Sequence, residues 1–200
     1  SPQELRVSTV GIVGYGSIGR QVARLLHPFG ATVLASKLDA RHPEDRGYFI
    51  EGLGDASGDY VRRLYPAEAL RSMARECDFL VVCVPLTPKT QGLIDAEIFA
   101  AMKPTAYLID TSRGGVVNHA DLIAALKERR LAGAALDVFP EEPLPADSPL
   151  WKMPNVIVTP HISGNTPFYD QRAVELFAAN LRRYLSGEPL LNQVNLELGY

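Results

Sequence analysis

The chain has 200 residues, 46% of them apolar, and a formal net charge of −3. That length suits one large domain with an ample core, and the absence of any Lys/Arg run removes the electrostatic reason to expect nucleic acid or an anionic membrane as partner. The polar start SPQELRVS and the lack of an apolar run of spanning length indicate neither export nor a membrane helix.

Residues 9–13 open the chain as a short β-branched strand, followed by a glycine-rich turn and a helix over residues 18–29. A second strand at 32–35 leads into residues 38–59, which mix charge with Gly47, Gly52, Gly54 and Gly58 and read as a long surface loop. Residues 66–75 carry apolar positions at helical spacing with Pro66 in the first turn, and residues 79–84 form the next strand. Cys77 and Cys83 lie in the apolar stretch ECDFLVVCV, where buried reduced thiols are expected rather than a bridge, which fits a reducing cytoplasm. Beyond it come a helix at 95–102 with Asp95 as its cap, a strand at 106–109, a helix at 119–129 and a strand at 132–138. Residues 141–149 form a second loop, stiffened by Pro143, Pro145 and Pro149. A strand at 156–159 precedes a last helix, over about 166–185, which stops at Gly187 and Pro189. Strands alternating with helices predict an α/β chain: a doubly wound Rossmann-type parallel sheet with helices on both faces.

Gly14-Tyr15-Gly16-Ser17-Ile18-Gly19 fits GxGxxG. Alone the pattern is weak, but here it follows the first strand and opens a helix. Gly14 can then make the turn, Gly16 can let a pyrophosphate approach the backbone, and Gly19 can let helix and strand pack closely. An NAD site places an acid at the end of the second strand, against the ribose hydroxyls. This chain has Ser36 and Lys37 there, with Arg41 and His42 close behind. Cations at that point favour a 2′-phosphate, hence NADP over NAD; the alternative is a solvated loop whose Asp39 takes the ribose.

Three strings in the second half, TSRGG around Arg113, DVFPEEP ending on Glu142 and Pro143, and TPHISG around His161, each stand where a strand gives way to a loop. Open α/β sheets present ligands at that carboxyl edge, so the three can share a crevice. An imidazole held by a carboxylate donates and accepts protons near neutral pH, and a guanidinium can grip a carboxylate substrate. Each residue also has a plainer reading. His161 could cap the next helix, Glu141 competes with Glu142, and Arg113 could pair with a loop acid. Gly114 and Gly115 speak for close ligand approach at Arg113. His27, His42 and His119 are expected to be structural or solvated, and Trp151 and Tyr169 to pack. The sequence shows no metal-ligand pattern.

The ordered set GYGSIG, VPLTPKT, DTSRGG, LDVFPEEPLP and TPHISG resembles the D-isomer-specific 2-hydroxyacid dehydrogenases over about residues 7–194. The resemblance implies reduction of a small 2-oxo acid by nicotinamide, with Arg113, Glu142 and His161 as the catalytic set, and it selects Glu142 over Glu141. It places Ser17 and Ile18 on the cofactor phosphates and Lys37 beside the adenine ribose. Val84, Thr111, Asp137, His161 and Gly164 would lie along the cofactor. Related formate dehydrogenases carry Gln at the carboxylate position and are disfavoured by Glu142. A different class, cofactor-sensing corepressors, shares the fold and the trio and stays open as a binding role.

Members of that family also carry a substrate-binding domain, most of it ahead of the glycine turn. Only residues 1–13 precede Gly14 here, and residues 190–198 resemble the tail that packs on that domain. The expectation is therefore one dinucleotide-binding domain over 1–200, as a truncated form or proteolytic core, or else a natural single domain. It should bind cofactor better than it turns over substrate. The 2-oxo acid is not named by the sequence, and a homodimer is the assembly the resemblance allows.

Overall fold

The computed structural model describes residues 3–45, 47–50, 52–197 and 199. Seven strands form one parallel sheet: β1 (Thr9–Val13), β2 (Thr32–Lys37), β3 (Arg63–Pro66), β4 (Phe79–Val82), β5 (Tyr107–Asp110), β6 (Gly133–Leu136) and β7 (Val156–Val158). Their order is β3-β2-β1-β4-β5-β6-β7, so the direction of winding reverses between β1 and β4. A crevice opens at such a reversal, outside the carboxyl ends of the strands.

The central strands are buried on both faces, and alternate residues feed two cores. Val10, Ile12, Val33 and Ala35 pack with Tyr15 and Ala23 on one face. Val13, Leu34, Leu80, Val82 and Leu108 pack with Met73, Phe99 and Leu122 on the other. That alternation is what a doubly wound sheet requires of its strands.

Helices α1 (Ser17–Leu26), α2 (Leu70–Glu76), α3 (Ala96–Ala101) and α4 (His119–Lys127) connect the strands, and short 3₁₀ turns follow α1 and precede α2. The Asp95 side chain accepts from the amides of Glu97 and Ile98. Asn118 caps α4 through the amides of Ala120 and Asp121. Such caps each stabilise a helix end by about 1 kcal/mol. Cys77 and Cys83 are free thiols, and burial pushes them up to about 12 and about 11.

One element departs from the expectation. Arg63–Pro66 is a strand, and Pro66 ends it rather than opening a helix, which begins only at Leu70. As an edge strand β3 buries Tyr65 alone and pairs only with β2, so Pro66 interrupts no second ladder. A four-residue strand with one buried side chain carries too little pattern to be read.

The chain divides into two compact units, Ser1–His161 and Ile162–Tyr200. The second holds α5 (Tyr169–Leu185), which buries none of its residues and exposes Val174, Phe177, Leu181 and Tyr184 at helical spacing. The tail is no strand among the described residues. Asn180 donates to the Leu191 carbonyl at 3.0 Å and accepts its amide at 2.8 Å, tying residue 191 to the helix. Leu198, where the expected tail ends, lies outside the described residues.

Candidate active site

The glycine turn has the geometry its sequence implies. Gly14 adopts φ +98°, and a side chain there would meet Val84 Cγ1 at 2.7 Å. At Gly19 a Cβ would run into the Gly14 carbonyl oxygen and lie 2.9 Å from Ile12 Cγ2, so helix and strand touch through this residue. Gly16 differs: a Cβ there would meet nothing within 4 Å. The turn is closed on its packed side and open at Gly16, and no side chain caps α1. Ser17 and Ile18 are exposed beside it. This is a cradle that a larger residue would fill, at the positive end of a helix, and it fits a pyrophosphate.

At the end of β2 the Lys37 ammonium donates to the carbonyls of His42, at 2.7 Å, and Glu44, at 3.2 Å. Burial, and then the charge of Arg20, hold it below the usual lysine range. Asp39 is engaged within the loop, at 2.5 Å from His42 Nδ1 and 3.2 Å from the Arg41 amide. The Arg41 guanidinium is largely exposed.

On the other side of the crevice, His161 Nδ1 lies 2.7 Å from Glu142 Oε2. The second oxygen, Oε1, accepts from the Phe139 amide at 2.9 Å, so the carboxylate is fixed at both ends. The bond from His161, then that from Phe139, hold the Glu142 carboxyl below the usual carboxylate range. The His161 amide donates to the Asp137 carbonyl at 2.9 Å, and the residue takes φ +54°. Non-glycine residues in that region are uncommon and gather at functional sites. Bound through Nδ1, His161 leaves Nε2 as the nitrogen for another partner.

Arg113 stands on the loop after β5, and its Nη1 donates to the Ser112 carbonyl at 2.8 Å. Among the described residues it bonds neither Glu142 nor His161. The three come from the ends of neighbouring strands β5, β6 and β7. Gly114 has a role the sequence did not show. A Cβ there would collide with the Phe139 carbonyl, so this glycine lets the Arg113 loop lie against the loop that carries Glu142.

Asp137 follows β6, is buried, and accepts from Thr159 Oγ1 at 2.5 Å. Thr111 is half-buried and donates through amide and hydroxyl to the Val82 carbonyl. Gly164 belongs to the second unit and is exposed.

Sequence reading passed over Asp110. It is 1% exposed, and its Oδ1 accepts from the Ser112 amide at 3.0 Å and hydroxyl at 2.6 Å. Its Oδ2 is buried without a hydrogen-bond partner among the described residues. Burial, reinforced by the charge of Asp137, pushes this carboxyl up to about 6. It underpins the residue on whose carbonyl Arg113 rests. Polar residues at a strand end were the available signal, in a string already singled out for its arginine.

Residues 1–163 match the family described as D-isomer specific 2-hydroxyacid dehydrogenase, NAD binding domain. The chain belongs to this family. It is 41% identical over 182 residues to (S)-sulfolactate dehydrogenase of Chromohalobacter salexigens, covering 91% of this chain and 54% of that protein. With glyoxylate reductase of Thermofilum pendens it shares 40% identity over 195 residues, 98% of this chain and 53% of the relative. Human glyoxylate reductase/hydroxypyruvate reductase is 38% identical over 193 residues, 96% and 54% of the two chains. The chain thus spans about half the length of these curated relatives. Among solved structures, a D-isomer specific 2-hydroxyacid dehydrogenase from Xanthobacter autotrophicus, in complex with NADPH and MES, superposes with TM-score 0.84 at 36% identity. That match covers 100% of this chain and 76% of the other. An NADPH-dependent glyoxylate/hydroxypyruvate reductase from Sinorhizobium meliloti, in complex with NADP and sulfate, gives 0.82 at 35%, covering 100% and 58%.

Proposed function

We propose that this chain is the cofactor-binding and proton-donating part of an NAD(P)H-dependent reductase of small 2-oxo acids. The observation that carries the reading is the His161–Glu142 pair at 2.7 Å, with the carboxylate anchored on the Phe139 amide. When bound, the nicotinamide supplies the hydride. An oxyanion then develops on the substrate carbonyl oxygen and needs a proton. His161 donates it from Nε2, while Glu142 holds Nδ1, fixes the ring and stabilises the imidazolium. Arg113 grips the substrate carboxylate and polarises the carbonyl, leaving the Ser112 carbonyl as it swings to the acid. In the reverse direction His161 takes the proton from the 2-hydroxyl.

Gly14, Gly16, Ser17, Ile18 and Gly19 would hold the pyrophosphate, Lys37 the adenosine end, and Val84, Thr111 and Asp137 the remainder. We place NADP ahead of NAD, on the cations at the end of β2 and on the NADPH and NADP held by two solved relatives. Two free thiols support a reducing compartment, the cytoplasm. No helix among the described residues is long and apolar enough to cross a membrane.

The test is a panel of 2-oxo acids offered to the full-length protein with NADPH and NADH. Saturable cofactor oxidation with at least one acid supports the reading. Cofactor binding with turnover of none would leave only a binding role.

A further inference from the structure

The loop at residues 38–59 reads in sequence as solvated surface, yet its backbone is strung between two cations. Lys37 donates to the carbonyls of residues 42 and 44, and Arg20 Nη2 donates at 2.6 Å to the carbonyl between them, that of Pro43. Successive carbonyls of an extended segment point to opposite sides, so residues 42–44 can serve both cations at once. Arg20 stands in the first turns of α1, directly after Gly19, and is only 2% exposed. Its Nη1 donates to the Asp55 carbonyl at 2.5 Å, and the Asp45 carboxylate lies 3.4 Å from Nε as an ion-pair partner. Its guanidinium carbon sits 4.6 Å from the centre of the Tyr15 ring, inside the glycine turn. The Tyr15 hydroxyl donates to Asp55, whose carboxylate also takes the amides of Gly58, Asp59 and Tyr60. Glycine turn, α1 and loop are therefore one hydrogen-bonded block, with Arg20 at its centre.

A buried arginine is costly unless its charge is matched, and here most of its matching goes to backbone carbonyls of this loop. The same short segment fixes where the Lys37 ammonium stands. We propose that Arg20 is a positioning residue for cofactor choice: by holding residues 43–45 it sets the Lys37 ammonium at the ribose 2′ position and so discriminates NADPH from NADH. The inference rests on Lys37 meeting the 2′ substituent, and it gives Arg20 no direct contact with the cofactor.

Fluorescence titration of the full-length protein with NADPH and with NADH tests this in R20M, K37M and the double variant. K37M is expected to lower the preference for NADPH about tenfold, the worth of one charge-assisted phosphate contact. R20M should lower it about fivefold with little change for NADH. The double variant should fall no further than K37M alone, because Arg20 acts through Lys37. R20K and R20Q, which can each still donate to one loop carbonyl, should recover part of the preference, and they carry the test if R20M does not fold. A merely structural arginine would weaken both cofactors by one factor, or multiply its effect on that of K37M; either result overturns the inference alone. A K37M variant that keeps the parent preference overturns the Lys37 reading and the inference with it.

Discussion

Asp110 and Glu142 are carboxylates on neighbouring strand ends, and their surroundings push them in opposite directions. Glu142 is held low by His161 and Phe139, so it favours the fold when charged, and that contribution is lost only as pH falls through its lowered value. Asp110 is pushed up to about 6 by burial. The folded protein then binds this proton more tightly than the unfolded chain does. Stability should fall as pH rises from about 4 to about 6, by on the order of 3 kcal/mol for a shift of about two units. D110N removes the charge and keeps an acceptor for Ser112. Chemical denaturation across pH should find it flatter over that range and more stable than the parent above it; a parallel profile would contradict the assignment. At the chemical step, H161Q should cost about 10²–10⁴-fold in kcat with the cofactor dissociation constant unchanged. E142Q keeps a bond to the ring without its charge and should fall between the two.

At the scale of elements, the glycine turn separates packing from binding. G16A places its methyl in open space and should leave the melting temperature unchanged, while weakening cofactor binding by obstructing the pyrophosphate. G19A drives a methyl into the Gly14 carbonyl and should destabilise the fold by about 1–3 kcal/mol. Calorimetry and cofactor titration of the two variants check this; similar melting losses in both would refute it. The packing of Gly14 and Gly19 was legible because each sits at a fixed offset between a strand and a helix. The strand-end placement of the trio was legible for a related reason: six of the strands announce themselves as short apolar runs, and each motif stands at the end of one. β3 was not legible, since an edge strand with a single buried tyrosine has no period to detect. Nor was the anchoring of residues 38–59, which depends on one buried arginine reaching carbonyls more than twenty positions away. Backbone acceptors leave no mark in a sequence.

For the whole molecule, the parallel direction of all seven strands puts the glycine turn and the trio at the same edge of one sheet, and the reversal of order between β1 and β4 opens the crevice there. Binding at that edge stabilises the folded state by linkage, by about 2.7 kcal/mol at a ligand concentration one hundred times its dissociation constant. A thermal-shift series should therefore rise with NADPH, and rise less with NADH at equal concentration. The central claim, that His161 backed by Glu142 protonates a reduced 2-oxo acid, is tested most directly by one comparison. Single-turnover oxidation of bound NADPH by a 2-oxo acid is measured in the full-length parent and in H161Q, at matched cofactor occupancy. The account predicts rapid, acid-dependent oxidation in the parent and a loss of about 10²–10⁴-fold in H161Q; an H161Q variant that oxidises NADPH at the parent rate would contradict it.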